Sequence, residues 1–142
     1  MKNDLHNFHD YLLNSDMLAI VNLLNSPVID INLPCENGYT PIMNAINSGC
    51  VEVVQYLVSK KADIHQNNKG MSPLYYASKC GYLNIVEYLV TKGAKANKKI
   101  DNGESPLSVA YKNGYFTIFE FLLYQQSKST QKTLNLPTPL IF

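Results

Sequence analysis

The 142-residue sequence contains no arginine and no tryptophan, and only 16% of its residues are charged. All twelve basic residues are lysines, so the chain lacks the side chain best suited to bidentate contacts with phosphate or guanine. Its formal net charge of +1 adds no strong overall attraction to nucleic acid. Sequence-specific nucleic-acid binding is therefore disfavoured, and weak, salt-sensitive binding through lysines is the alternative.

The sequence also lacks paired cysteines, a long apolar segment and the motifs of common enzymes. Cys35, Cys50 and Cys80 are odd in number and have no Cys-x-x-Cys spacing, which is typical of reduced packing residues in a cytoplasmic protein. The longest apolar stretch, 17–24, is too short for a membrane span. No phosphate-binding loop, dinucleotide fingerprint or nucleophile elbow occurs. We expect a soluble cytoplasmic protein that is not an enzyme and binds no cofactor, no metal and no membrane.

The charges that are present are segregated along the chain. Residues 1–58 contain one Lys and six acidic residues, a net charge of −5, and residues 59–142 contain eleven Lys and five acidic residues, a net charge of +6. In an elongated protein such a gradient can orient an approaching partner. An ordinary solvated surface is the simpler explanation.

One eight-residue pattern occurs three times. Gly-Tyr-Thr-Pro-Ile-Met-Asn-Ala at 38–45 matches Gly-Met-Ser-Pro-Leu-Tyr-Tyr-Ala at 70–77 and Gly-Glu-Ser-Pro-Leu-Ser-Val-Ala at 103–110, with offsets of 32 and 33. The same offsets relate further glycines and leucines: Gly49, Gly81 and Gly114, and Leu57, Leu89 and Leu122. A weaker unit precedes these three, and the last residues repeat Thr-Pro-Leu at 138–140. A period near 33 residues indicates a stack of small structural repeats.

Each unit carries the signals of two short helices. The predicted N-caps, each followed by Pro at the first helical position, are Thr40, Ser72 and Ser105. The glycines at 49, 81 and 114 are predicted to end these first helices, because glycine tolerates a positive φ. A second helix then presents apolar residues at helical spacing. One helix pair cannot bury its own apolar stripe, so the units must stack.

The pattern Gly-x-Thr/Ser-Pro-Leu/Ile-x-x-Ala-x-x-x-Gly, followed by Val-x-x-Leu, resembles the ankyrin repeat over about residues 5–126. The resemblance implies an all-α repeat fold, an ankyrin-type solenoid of stacked helix-turn-helix units with short β-hairpin fingers. We expect a single domain, with one finger a residue shorter than the others near 66–68. Its predicted parts are a degenerate N-terminal capping repeat at 1–36, repeats at 37–68, 69–101 and 102–126, and a tail or incomplete repeat at 127–142 that acts as a C-terminal cap.

Three departures from the family pattern lead to further expectations. The family usually has His two residues after the Pro, and its replacement by Met43, Tyr75 and Ser108 predicts that a polar bridge between units is absent. The stretch 127–133 is polar, and we expect it to be mobile. The final apolar residues either fold back over the fourth unit, which we favour, or belong to a longer chain.

Histidines near the N-terminus suggest a second, weaker possibility. His6 and His9 lie three residues apart beside Asp10 and could share one face of a helix as metal ligands. Because no further ligand lies nearby in the sequence, exposed histidines on a capping helix are the favoured interpretation.

The resemblance also implies a function. Ankyrin proteins bind partner proteins through the concave face formed by fingers and first helices, so we expect a monomeric adaptor or inhibitor. The contact positions carried onto this chain are Glu36, Asn37, Tyr39, Asn47, Asn68, Lys69, Met71, Lys79, Asp101, Asn102, Glu104, Lys112 and Asn113. Lys69, Lys79 and Lys112 are expected to form a basic spot, with the last two roughly 8–10 Å apart.

Two alternatives to a stand-alone adaptor follow from the same residues. The chain could be the ankyrin segment of a larger protein whose activity lies outside it. It could also be a bacterial or viral effector that engages host proteins in the host cytosol. The composition, rich in Asn, Lys, Ile and Tyr and free of Arg, suggests an AT-rich genome and motivates this second alternative.

Overall fold

Four consecutive helix pairs make up the computed structural model, which describes residues 2–27 and 29–134, with side chains described at 7–27 and 29–128. The described helices are α1 (Lys2–Leu13), α2 (Met17–Leu24), α3 (Pro41–Ser48), α4 (Val51–Ser59), α5 (Pro73–Cys80), α6 (Leu83–Thr91), α7 (Pro106–Lys112) and α8 (Phe116–Leu134).

The predicted start and stop signals lie at the ends of the first helices. Thr40, Ser72 and Ser105 each accept a hydrogen bond on the side-chain oxygen from the backbone N–H three residues later, at 3.3, 3.1 and 3.1 Å. Proline follows each cap at the first helical position. Gly49 and Gly81 end α3 and α5 with φ of 77° and 87°. Local capping chemistry therefore fixes the helix boundaries.

The helix pairs stack in chain order in two layers. The first helices α1, α3, α5 and α7 pack side by side, and each second helix packs on the first helix of its own unit. One continuous core runs through the stack from Phe8 and Leu12 through Leu57 and Leu89 to Leu122, all fully buried. This arrangement confirms the predicted all-α repeat fold.

The fingers are tight hydrogen-bonded turns between units. In the first finger, 35–39, the N–H of Cys35 donates to the Tyr39 carbonyl at 2.9 Å around a three-residue loop. The finger at 100–104 repeats this pattern. In the middle finger, Asn68 and Met71 exchange both backbone hydrogen bonds, at 3.0 and 2.9 Å, around a two-residue loop.

The middle finger accounts for the shorter repeat period. Lys69 and Gly70 both have positive φ, 54° and 85°, as a two-residue turn with this twist requires. The missing residue has therefore been removed from the loop at 69–70, just after the position near 66–68 where the offset of 32 led us to expect a shorter finger. The described residues contain one β-bridge, Asn68–Met71, and no strands.

The last helix is longer than the repeat pattern predicted. Helix α8 continues to Leu134, so residues 127–133, which we expected to be a polar tail outside the repeat, are helical. The cause is a missing stop signal: the equivalent positions after α4 and α6 are Lys61 and Gly93, with φ of 72° and 100°, whereas the helix passes through Gln126. The repeated Thr-Pro-Leu at 138–140 lies outside the described residues, and the unit boundaries remain predictions.

Polar side chains do bridge neighbouring units, contrary to expectation. The Tyr75 hydroxyl donates to Glu104 Oε2 of the next unit at 2.5 Å. Between the first two units, Asn44 Nδ2 donates to His9 Nδ1 at 2.5 Å. His9 is 95% buried, so the prediction of an exposed histidine is wrong at this position. The side chain of His6 lies outside the described ones.

Candidate functional site

The predicted contact residues lie on the fingers and along the first helices, a surface that we call the finger-side face. Its exposed members are Glu36, Asn37, Asn47, Lys69, Lys79, Asp101, Asn102, Lys112 and Asn113, and its half-buried members are Tyr39, Asn68, Met71 and Glu104. These positions are exposed because the apolar side of each first helix faces the core. Three local groups organise the face.

The first group joins a finger to two first helices. Glu104 accepts the hydroxyl of Tyr75 on Oε2, at 2.5 Å, and forms an ion pair with Lys112 through Oε1, at 3.0 Å. The hydrogen bond from Tyr75, together with Lys112, lowers the pKa of Glu104. Burial, followed by the bond to Glu104, raises the pKa of Tyr75 to about 12. Glu104 therefore stays charged and Tyr75 neutral near pH 7.

The second group is aromatic and spans two units. The rings of Tyr39 and Tyr76 lie 5.8 Å apart between centroids, tilted by 55°. The Tyr76 hydroxyl donates to Asn47 Oδ1 at 3.1 Å, and burial raises the pKa of both Tyr76 and the nearby Cys80 thiol. Tyr76 is half-buried on this face, and it is not among the contact positions predicted from the sequence. Its partners lie 29 and 37 residues earlier, which no local signal reveals.

The third group consists of asparagines that tie one unit to the next. Asn113 Nδ2 donates to the Lys79 carbonyl at 3.3 Å, and Asn68 Nδ2 donates to the Asn37 carbonyl at 3.5 Å. Asn68 also lies against Gly38, where a Cβ would come within 2.7 Å of Asn68 Oδ1. Both asparagines, predicted as partner contacts, therefore contribute to the stacking of units.

The predicted basic spot is divided by these contacts. Lys112 is neutralised by Glu104 at 3.0 Å. Lys69 and Lys79 are exposed, and neither forms an ion pair with any residue that the structure describes. The unpaired positive charge of this face therefore resides on Lys69 and Lys79, and the predicted separation of Lys79 and Lys112 stays a prediction.

The remaining surface offers little for chemistry within the described ranges. Within residues 2–27 and 29–134, no three His, Cys, Asp or Glu residues lie close enough together to hold a metal ion. Open clefts of about 210–330 Å³ lie between units, one of them lined by Gly93, Lys95 and Gln126. None of the described helices is long and apolar enough to cross a bilayer.

Comparison with known proteins supports this picture. A family model described as ankyrin repeats, in three copies, matches residues 8–100. That range begins within α1 and extends past the end of α6, and the structure adds a fourth pair, α7 and α8, beyond it. No match was found among curated proteins.

Proposed function

We propose a function on the basis that this chain belongs to the ankyrin-repeat family. The proposal is that it binds a partner protein through its finger-side face, as an adaptor or inhibitor. Ankyrin repeats are generally protein–protein interaction modules and are typically not enzymes. The observation that supports this choice of face is the exposed, unpaired Lys69 and Lys79 on the same surface as the Tyr39–Tyr76 pair.

The composition of this face suits a protein interface. Tyrosine and methionine are enriched in interface cores because they supply large contact area with a polar or adaptable end. Tyr39 and Met71 are half-buried at neighbouring fingers, so each keeps part of its surface for a partner. Unpaired lysines beside them favour a partner whose contact surface is acidic.

Charge reversal at two lysines tests the proposed face. In Lys69→Glu/Lys79→Glu we expect loss of the partner, because four units of charge change where the partner's acidic groups approach. Lys112 is left intact, since its reversal would also disturb Glu104 and the finger. The matched control, Lys60→Glu/Lys92→Glu, makes the same charge change at the residues that follow α4 and α6, where each Lys Nζ lies 5.7 Å from a tyrosine ring centroid.

The assay is affinity capture from a lysate of the source organism, with mass spectrometry of the retained proteins. Support requires a protein that the wild type and the control retain and the face variant loses, with unchanged helical circular dichroism. If the face variant retains the same proteins as the wild type, the finger-side face is not the binding surface.

The setting of this binding is part of the proposal. Three cysteines without paired spacing support a reducing compartment such as the cytoplasm. The proposal includes that the chain acts as a monomer and occupies one partner. An ankyrin segment within a larger protein, or an effector in a host cytosol, would use the same face, and the identity of the captured protein distinguishes these settings.

A further inference from the structure

The connection that follows each of the first three second helices makes a turn at the equivalent place, at 31–32, 64–65 and 96–97. In the first two turns the preceding residue is an aspartate that bonds to the turn backbone. Asp30 Oδ1 accepts a hydrogen bond from the Asn32 N–H at 3.0 Å. Asp63 Oδ1 accepts one from the His65 N–H at 2.8 Å. A carboxylate at this position therefore closes the turn on its own backbone.

The third turn has a lysine in place of the aspartate. Lys95 is equivalent to Asp63 at the offset of 32. The backbone enters both turns in the same way, because the N–H groups of Ala62 and Ala94 donate to carbonyls of the preceding second helix at 3.0 and 3.1 Å. The N–H of Asn97, however, has no acceptor among the described residues. An ammonium group only donates hydrogen bonds, so Lys95 cannot supply one.

Lys95 and Asn97 line an open cleft of about 210 Å³, which we call the turn cleft. Gln125 and Gln126 of α8 also line it, and both are half-buried. Each glutamine side chain can donate from its amide nitrogen. Among the described residues, no Asp or Glu lines this cleft. The turn cleft therefore combines a positive charge and several N–H donors without an opposing negative charge, which suits an anion.

We propose that the turn cleft binds a carboxylate of an acidic protein segment, presented by an Asp or Glu side chain. This carboxylate takes the place that Asp30 and Asp63 fill in their own turns: it accepts the Asn97 N–H and pairs with Lys95. Hydrogen bonds to a charged acceptor are roughly twice as strong as neutral ones. A cleft of about 210 Å³ suits one side chain, since sites for whole small molecules are about 300–1,000 Å³.

The surroundings of the turn cleft favour a segment with several acidic residues over a single carboxylate. Residues 91–100 contain four lysines and no acidic residue. Lys98 and His65 line a neighbouring cleft of about 310 Å³ that shares Lys95 with the turn cleft. Positive charge at this density attracts further acidic groups beside the bound one. Neither of the unpaired lysines of the finger-side face lines these two clefts, so this site does not depend on the function proposed above.

An aspartate introduced at position 95 should act as a built-in ligand. In Lys95→Asp we expect the new carboxylate to accept the Asn97 N–H, as Asp63 does for His65, and to exclude an external one. In two-dimensional NMR of the nitrogen-labelled full chain, the Asn97 amide proton should then move to higher chemical shift, as hydrogen-bonded amides do. The matched control, Lys99→Asp, makes the same charge change in the same run of lysines. Because Lys99 lines neither cleft, its substitution should leave the Asn97 signal in place.

Titration with a short polyglutamate peptide, its ends blocked, tests binding directly. In the wild-type chain the peptide should move the Asn97 signal in the same direction as Lys95→Asp does. The affinity of Lys95→Asp for the peptide should be at least about ten-fold weaker than that of the wild type. Lys99→Asp should stay within about two-fold of the wild type, because an exposed charge outside the cleft contributes little.

Four results overturn the proposal. If the peptide leaves the Asn97 signal unmoved, or if both variants weaken binding equally, the lysines act only as general positive charge. If the signal stays in place in Lys95→Asp, a carboxylate does not close this turn. If inorganic phosphate moves the signal at a lower concentration than the peptide, the cleft is a phosphate site. If Lys69→Glu/Lys79→Glu abolishes the movement, the peptide binds the finger-side face instead.

Discussion

Replacing a glycine by alanine at two equivalent positions separates packing between units from backbone strain. Gly81 and Gly114 both follow a first helix with positive φ, 87° and 81°. At Gly81 the added Cβ meets the Tyr115 ring at 2.6 Å, and at Gly114 it meets no atom of the described residues within 4 Å. The two substitutions therefore share the strain and differ in the contact.

The expected magnitudes follow from these two parts. Placing a residue with a Cβ in the left-handed region costs about 1–2 kcal/mol. Alanine offsets about 0.4–1 kcal/mol of this cost, because the unfolded chain has less conformational entropy with alanine than with glycine. Gly114→Ala should therefore lower the free energy of unfolding by about 1 kcal/mol. Overpacking against Tyr115 adds about 1–3 kcal/mol, so Gly81→Ala should lower it by about 2–4 kcal/mol. Tyr115 is 38% exposed, and its ring can shift outward, which favours the lower part of that range.

Urea unfolding followed by circular dichroism measures both free energies. A double-mutant cycle with Tyr115→Ala isolates the contact: in that background, Gly81→Ala should cost no more than Gly114→Ala does in the wild type. Equal costs for the two single glycine variants, or an unchanged cost of Gly81→Ala after removal of the ring, would refute the account of how units fit together.

Three further predictions concern a polar bridge, its dependence on pH, and a helix end. Tyr75→Phe should lower the free energy of unfolding by about 1 kcal/mol at neutral pH, because a largely buried hydroxyl loses its bond to Glu104. Glu104→Gln should also destabilise at neutral pH. The folded-state pKa of Glu104 is lowered, so its contribution is present above the ordinary glutamate pKa of about 4.3 and is lost as the pH falls through the lower folded-state pKa. The urea midpoints of wild type and Glu104→Gln should therefore converge as the pH is lowered below about 4.3; a constant difference would contradict the pairing. Lys61→Gly should stabilise by about 0.5–1 kcal/mol, because Lys61 ends α4 at φ 72°, whereas Lys60→Gly at φ −93° should destabilise in the same urea titration.

The features predicted correctly from sequence depend on neighbours within a few residues. Thr40 with Pro41 determines where a helix begins, because capping depends on local backbone geometry. The 32-residue offset indicated a finger one residue shorter than the others, because a two-residue turn is also a local structure. The end of α8 was mispredicted for the converse reason. The repeat period suggested a boundary at Gln126, but a helix stops only where local chemistry stops it, and Gln126 supplies neither a glycine nor a proline.

Contacts between units could not be read from the sequence, because they depend on where long side chains point. Three lysines at matching positions predicted one basic spot, yet Lys112 turns to Glu104 at 3.0 Å. The partner of Tyr75 lies 29 residues later in the chain. The Tyr75 hydroxyl and the Glu104 carboxylate form the bridge between units at the position where the family usually has a histidine. The repeat motif alone could not show this pairing.

The polar contacts narrow the candidate binding surface. Six of the predicted contact residues have a side chain that forms a hydrogen bond or an ion pair within the protein: Asn47, Asn68, Asn102, Glu104, Lys112 and Asn113. These contacts give each of the six a structural role that requires no partner. Glu36, Lys69 and Lys79 are exposed on the same face, and no contact among the described residues accounts for Lys69 or Lys79. Substitutions at these two lysines are the ones that can change partner binding while leaving the free energy of unfolding unchanged.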